Sequence, residues 1–334
     1  MDAVGQARAE PWADAMLERP RAWPTIALRG CLRAAPSDFV VEERLAFEPT
    51  GAGQHRFLLV EKCLANTESV ARDLARHYAV LPIAVSFAGR KDRRAIARQW
   101  FSVDTPRDDD PAPTSEFRVL RATRHARKLR RGELEHNGFS IRLTALEGDL
   151  EVLDARLAMI AEHGFPNYFG EQRFGRGGAN IARARAWLGA RRRRDVSAFE
   201  KGLHLSVGRS LLFNAVLAAR VRADAWRAIL PGDVEIDGAP TGPLWGRGRS
   251  PSTDRAGAIE ASALVPFADW RDALEHAGLR QDRRALVARP RNLRWARSGR
   301  EARVDFELGP GCFATQLLSE LGTLTSPTTD ECPP

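Results

Sequence analysis

The chain has 334 residues, enough for two domains of ordinary size, and its 43% hydrophobic and 28% charged residues exclude a disordered chain. Lysine and arginine number 51 against 43 acidic residues, a formal charge of +8. This excess, largely arginine, favours a polyanionic partner such as nucleic acid, although a basic soluble protein from an arginine-rich genome would show it too.

The cysteines and apolar runs bear on the cellular setting. None of Cys31, Cys63, Cys312 and Cys332 has C-x-x-C spacing and no histidine completes a metal-ligand pattern, so we expect no metal site, reduced thiols and a cytoplasmic protein. The N-terminal stretch carries acids and no apolar core, which argues against a signal peptide. No segment reaches the roughly 18 apolar residues of a membrane span, so no membrane association is expected.

The first half of the chain interleaves short strands with helices. After an irregular leader (1–24), strands are predicted at "DFVVEERLAF", "HRFLLVEK", "IAVSFA" and "QWFSVD". A helix is predicted at "NTESVARDLARHYAV", capped by Asn66 or Thr67. Its apolar positions fall on one face: Val70, Ala71, Leu74, Ala75 and Tyr78.

Further along, the segment "FSIRLTAL" alternates, so that Phe139, Ile141 and Leu143 face one side of a strand. A helix then runs through "DLEVLDARLAMIAEHG" and ends at Gly164. Without a regular β-α-β repeat, the order favours a mixed, largely antiparallel α+β domain. Residues 178–232 are mainly helical, and strand character returns in "ARVDFELG", which indicates a helical insert within an α+β core.

The stretch "GRKDRRAIARQW" (89–100) places a single acid, Asp92, inside a basic run. Surrounding cations favour the ionised form of a carboxylate, so Asp92 is expected to be a persistent anion. Such a group suits nucleophilic or electrostatic work better than proton donation at neutral pH. The alternative is a solvated loop aspartate that balances neighbouring arginines.

Two more segments are candidates for nucleic-acid binding. The basic run in 121–143 comprises Arg124, Arg127, Lys128, Arg130 and Arg131. It leads to Asn137 and Phe139, an amide and a ring suited to holding and stacking a nucleotide, unless the run is only a solvated face. In "GFPNYFGEQRFGRGGANIARARAWL" (164–188), aromatics interleave with glycine and arginine, and the glycines before the helix offer either an anion site or a plain helix-entry turn. The patch "ARRRRDV" (190–196) is typical of a solvated face.

Taken together, these segments resemble the TruD family of tRNA pseudouridine synthases. The resemblance spans about residues 28–321 and rests on "RAAPSDFVVEE" (33–43), "FAGRKDRRAIARQ" (87–99), "RHARKLRRGELEHNGFSIRL" (124–143), "PNYFGEQRFGRGGANI" (166–181) and "GPGCFATQLLSEL" (309–321). It implies a pseudouridine synthase core, α+β with a mixed, mainly antiparallel sheet, at 25–163 and 289–325. An inserted α/β TruD-specific domain would occupy 164–288, with a tail at 326–334.

The resemblance also implies a reaction. Asp92 would be the catalytic nucleophile that isomerises uridine 13 in the D-stem of tRNA to pseudouridine, without cofactor or metal, on a flipped-out base. Arg33 would be the cation paired with Asp92, and Phe139 would stack on the base. The remaining substrate contacts would be Phe39, Asn137, Phe313, Lys91, Arg127 and Lys128. The expected partner is tRNA, with no protein partner implied and a monomeric chain.

Four positions depart from the family pattern. Arg33 stands where lysine is usual, Ser37 replaces an acid, Ala97 replaces a common threonine, and His136 replaces the glycine before Asn137. None of these removes a candidate catalytic group. The rival interpretation is a non-catalytic RNA-binding or chaperone-like protein, and Asp92 discriminates between them because a carboxylate repels phosphate.

Overall fold

A computed structural model describes residues 18–190 and 195–326 of the chain. The basic patch at 191–194, most of the leader and nearly all of the tail lie outside these described residues. The chain divides into two compact units. The sheet unit comprises Ile26–Ala161, Pro290–Ala314 and the chain from Leu321 onward, and the helical unit comprises the chain up to Thr25, Glu162–Arg289 and Thr315–Glu320.

The strands, in chain order, are β1 (Arg29–Leu32), β2 (Phe39–Leu45), β3 (His55–Lys62), β4 (Val85–Phe87), β5 (Ile96–Asp104), β6 (Phe117–His125), β7 (Leu134–Glu147), β8 (Phe165–Pro166), β9 (Glu235–Ile236), β10 (Ala239–Leu244), β11 (Asp282–Ala285), β12 (Val287–Ala288), β13 (Arg291–Ser298), β14 (Glu301–Leu308) and β15 (Thr323–Thr325). The helices are α1 (Thr67–His77), α2 (Leu150–His163), α3 (Glu171–Phe174), α4 (Ala179–Leu188), α5 (Ala198–Arg222), α6 (Asp254–Ala263), α7 (Ala268–Glu275) and α8 (Ala314–Ser319).

The sheet unit is built on a ten-stranded sheet with the central order β13-β14-β7-β2-β5-β3-β6. Strand β1 pairs with β7 and β15, and β4 pairs with β5. Only β2–β5 and β1–β15 are parallel pairs among the described strands of this sheet. The sheet is therefore mixed and mainly antiparallel, which confirms the predicted fold class.

The alternation of β7 sets the faces of this sheet. Across β2, β7 and β14, Phe39 lies opposite Ile141 and Phe139 lies opposite Phe306, so these side chains share one face. Ile141 and Leu143 are fully buried there, as the alternating pattern predicts. Helix α1 packs its predicted apolar face against β3 and β5, because its buried positions recur every three or four residues.

The helical unit contains α3 to α7 with a three-stranded sheet, β11-β10-β9, and the short pair β8–β12. Helix α5, 25 residues long, is long and apolar enough to cross a membrane by length and composition. The expectation that no segment reaches that limit is therefore wrong. The apolar character has another physical cause, since 61% of the most apolar window is buried and Leu211 and Phe213 are inaccessible to solvent.

Two details differ from the sequence-based expectations. Residues 315–320 group with the helical unit and not with the predicted core segment 289–325, and the Gln316 side chain lies against Gly170. Cys63 is disulfide-bonded, so the expectation of reduced thiols is wrong at this position, whereas Cys31 and Cys312 form no disulfide.

Candidate active site

Asp92 lies in the loop between β4 and β5, and its carboxylate forms an ion pair with Arg33. Arg33 Nη2 donates to Asp92 Oδ2 at 2.5 Å, across 59 residues of sequence. The two side chains are only 17% and 28% exposed, for Arg33 and Asp92 respectively. A charge-assisted bond of this length in a partly dry site is stronger than an exposed one and holds the carboxylate in a fixed orientation. Asp92 is thus not a freely solvated loop residue.

Arg33 is itself held in an unusual position. It follows β1 with a positive φ of 59°, a backbone conformation that costs free energy in residues other than glycine. Its guanidinium carbon lies 4.0 Å from the centre of the Phe39 ring. Burial lowers the pKa of Arg33, and the negative charge of Asp92 opposes that shift. The strained backbone therefore aims a buried cation at the carboxylate.

An aromatic row borders this ion pair on the same face of the sheet. The Phe39 and Phe139 rings meet edge to face at 6.1 Å, and Phe139 stacks on Phe306 at 5.2 Å. Phe39 and Phe306 are buried, whereas Phe139 is half-buried. The register of three neighbouring strands thus places the half-buried Phe139 ring against Phe39, the ring that the Arg33 guanidinium covers, although these residues are far apart in sequence.

Asn137 is half-buried on β7, directly opposite Glu43 on β2 and two residues before Phe139. Its Oδ1 atom is buried and accepts no hydrogen bond from any described residue. His136, which replaces a glycine of the family pattern, lies within β7 and does not have a positive φ. The strand therefore accepts a side chain at this position without backbone strain.

Lys91 was expected to bind substrate, but its ammonium is buried. Lys91 Nζ lies 2.5 Å from Glu43 Oε2, and the two side chains are only 6% and 0% exposed. Glu43 Oε1 also accepts a hydrogen bond from the main-chain N–H of Trp100. This pair ties the Asp92 loop to β2 and β5, and the substrate contact of Lys91 stays a prediction. The buried partner, Glu43, could not be identified from the sequence pattern.

A second buried network fixes the main chain just before Asp92. The N–H of Lys91 donates to Thr67 Oγ1, and Thr67 donates in turn to Gln99 Oε1. The Gln99 amide completes the chain by donating to the carbonyl of Gly89. The sequence signal for Thr67 was only that of a helix start, and nothing in the sequence indicated Gln99.

The basic run at the end of β6 and after it is held by other groups of the sheet unit. Arg127 pairs with Glu133 at 2.5 Å, and Lys128 Nζ donates to the carbonyl of Ile83. Arg124 binds Asp108 and several main-chain carbonyls, so it holds a loop in place. Phe313 is half-buried in the segment between β14 and α8.

The segment "NYFG" of the helical unit is core and not an exposed aromatic surface. Tyr168 and Phe169 are 3% and 8% exposed. The Asn214 side chain of α5 binds both the N–H and the carbonyl of Phe169, at 2.9 and 3.0 Å. Arg284 donates to Asn167 Oδ1 and lies over the Phe169 ring. The segment owes its composition to this packing.

No group of three histidine, cysteine or acidic side chains that could hold a metal ion occurs among residues 18–190 and 195–326. A depression of about 500 Å³ lies on the sheet unit, and Phe139 and Phe306 are among the residues that line it. Its lining comes mainly from alternate strand positions, among them Glu42, Ser140 and Asp305. Asp92 and Arg33 do not line it.

This chain is similar to known proteins over most of its length. A family model described as tRNA pseudouridine synthase D (TruD) matches residues 21–181. A tRNA pseudouridine synthase D from Cellvibrio japonicus is 43% identical over 325 residues, covering 94% of this chain and 95% of the relative. A relative of the same name from Aeromonas salmonicida is 41% identical over 323 residues, covering 88% and 91%.

The chain belongs to the TruD family. A crystal structure of a Methanosarcina mazei protein assigned to TruD shares the fold, with a TM-score of 0.67 over 93% of this chain and 98% of that one, at 18% identity. The TruD family comprises pseudouridine synthases, which are isomerases that act in tRNA modification. The resemblance noted in the sequence is therefore confirmed, and the candidate site lies in a TruD protein.

Proposed function

We propose that this TruD protein isomerises uridine 13 in the D-stem of tRNA to pseudouridine, with Asp92 as the nucleophile. The observation that supports this proposal is the partly buried Arg33–Asp92 ion pair, whose arginine lies over Phe39, the ring that the half-buried Phe139 meets edge to face. A protein that only binds RNA gains nothing from such a carboxylate, because the carboxylate repels phosphate.

The chemistry needs a nucleophile and a site that keeps the base in place. In the isomerisation the N1–C1′ bond breaks, the base turns, and a C5–C1′ bond forms. The proton on C5 is lost and N1 takes up a proton, so the atoms balance without a redox partner. Asp92 would attack either C1′ or C6, and both atoms become accessible when the base is flipped out of its stack.

The other side chains take supporting roles in this proposal. Arg33 keeps the carboxylate ionised and oriented, because an arginine remains charged and can bind a carboxylate through its planar fork. Phe139 stacks on the base, with Phe39, Asn137 and Phe313 as further contacts. Arg127 and Lys128 contact the phosphate backbone through their exposed surfaces. The chain acts as a cytoplasmic monomer that needs no cofactor.

The test is pseudouridine mapping in tRNA incubated with wild-type protein and with Asp92→Asn. Wild type should convert uridine 13, whereas Asp92→Asn should give no product and bind tRNA within a few-fold of wild type. Asp154→Asn is the matched control, because Asp154 is also a partly exposed aspartate, 2.7 Å from Arg297 in the same unit. Substantial turnover by Asp92→Asn would exclude Asp92 as the nucleophile. Tight tRNA binding without any conversion by wild type would favour the RNA-binding interpretation.

A further inference from the structure

Lys62, the last residue of β3, has no accessible surface, although lysine is seldom fully buried. Its ammonium lies among main-chain carbonyl groups. Lys62 Nζ donates to the carbonyls of Ala65 at 2.9 Å and Asp92 at 2.8 Å, with a longer bond of 3.4 Å to Lys91. Three acceptors therefore surround the three protons of the ammonium, and two of the three belong to the loop that carries the proposed nucleophile.

The charge of Lys62 is not neutralised by a direct ion pair. No carboxylate lies within 4.0 Å of its nitrogen in the described part of the chain. The charged groups that act on it from a distance are the Asp92 carboxylate, the Lys91 ammonium and Glu68. Burial lowers the pKa of Lys62 to about 8, and the negative charge of Asp92 opposes that shift. A buried cation held mainly by carbonyl dipoles is costly, which indicates a role beyond filling space.

We infer that Lys62 is a positioning residue for Asp92, which fixes the main chain of the loop at the nucleophile itself. This inference rests on the proposed function of Asp92. The Thr67 and Gln99 network holds Lys91 and Gly89, but the carbonyl of Asp92 is held by Lys62. Since a displacement of about 1 Å at a reacting group can lower a rate by about 100-fold, the loss of this anchor acts on turnover.

The inference gives a pH dependence with a definite sign. Below about pH 8 Lys62 is an ammonium and all three carbonyls have a donor. Above that pH it becomes an amine with two N–H groups, so one carbonyl loses its donor and turnover falls. Folding stability moves the other way, because a lysine whose pKa is lowered in the folded state binds fewer protons there than when unfolded. Its unfavourable contribution is fully present below about pH 8 and is relieved as the pH rises toward the ordinary lysine range.

The experiment compares Lys62→Met with Arg56→Met in single-turnover isomerisation of tRNA from pH 6 to 10. Arg56 is the matched control, because it is a buried cation on the same strand whose partners are Asp108 and Asp110. At pH 7 we expect Lys62→Met to react about 100-fold more slowly per folded molecule, with tRNA affinity within about three-fold and no alkaline limb. Arg56→Met should be less stable but should keep the wild-type single-turnover rate and the alkaline limb of the pH–rate profile. A wild-type rate in folded Lys62→Met, or a persisting alkaline limb, would overturn the inference.

A second measurement does not depend on a folded variant. The chain has lysine at only four positions, Lys62, Lys91, Lys128 and Lys201, so [13Cε]lysine labelling gives few signals in an NMR titration. We expect one lysine to titrate near pH 8, with the same midpoint as the alkaline limb of wild-type turnover. A limb whose midpoint differs from every lysine titration would reject the positioning role. Absence of any conversion by wild type would instead reject the proposed function, so the two failures are distinguishable.

Discussion

At the scale of single residues, the site depends on Arg33 making two contacts at once. Its guanidinium binds Asp92 and also lies over the Phe39 ring. A planar guanidinium can do both, whereas the compact ammonium of the lysine usual in the family has no flat face to stack. The arginine in this chain therefore preserves the charge next to Asp92 and adds packing against the aromatic row.

Replacing Arg33 by alanine should lower kcat strongly, because the carboxylate loses its cation in a partly buried site. Arg33→Lys should recover most of the activity. The control is Arg44→Ala, which removes an exposed arginine from the neighbouring strand. If Arg33→Ala changed only KM and left kcat at the wild-type value, Arg33 would instead be a phosphate contact.

At the scale of secondary-structure elements, one side chain of α5 supplies hydrogen-bond partners to the main chain of a non-helical segment in the helical unit. Phe169 follows the short strand β8. Its main-chain N–H and carbonyl both form hydrogen bonds with the side-chain amide of Asn214. Asn214 is only 3% exposed, so both bonds are shielded from water. The apolar helix thus carries a single buried amide where the "NYFG" segment crosses it.

Asn214→Ala should lower the free energy of unfolding by about 2 to 3 kcal/mol, because two buried backbone groups lose their partner. The measurement is urea unfolding followed by tryptophan fluorescence, with hydrogen exchange at the Phe169 amide as the local readout. Asn180→Ala is the control, since Asn180 makes one longer bond of 3.3 Å to the carbonyl of Arg173 and is less buried. Unchanged protection of the Phe169 amide in Asn214→Ala would show that the segment is held by packing alone.

At the scale of the whole molecule, the chain carries a net charge of +8. Among the described residues, some of its cationic side chains bind a protein group, and others point to solvent without a carboxylate partner. In the run after β6, Arg127 has a carboxylate partner and Lys128 binds a carbonyl. Arg130 and Arg131 are exposed, and no carboxylate within the described residues lies at ion-pair distance from them. Free cations are better placed to exchange their counterions for phosphate groups.

Neutralising Arg130 and Arg131 to glutamine should reduce the slope of log affinity against log salt by about 1.8, since each lost phosphate contact removes about 0.9 on duplex nucleic acid. The double change of Arg127 and Lys128 should reduce the slope by less, because both groups already have partners in the protein. Binding of tRNA measured across a salt series gives both values. An equal slope for wild type and for the Arg130–Arg131 variant would show that this run faces solvent only.

The sequence by itself determined the family and the class of fold. The order of the motifs indicated the family. The alternation around Ile141 and the periodicity of α1 predicted which faces are buried, because burial follows the repeat of the local backbone. The pairing of Arg33 with Asp92 came only from the resemblance, since no local pattern relates residues 59 positions apart.

Tertiary structure decided which side chains hold the Asp92 loop. Lys91 belongs to the basic run in sequence, yet it is buried against Glu43 from another strand. Lys62 ends β3 and Gln99 lies within β5, and the sequence predicted only that these segments are strands. The physical reason is that a loop has few internal hydrogen bonds, so its main chain must be satisfied by groups from distant segments. Those partners are selected by strand register and sheet order, which local sequence patterns do not encode.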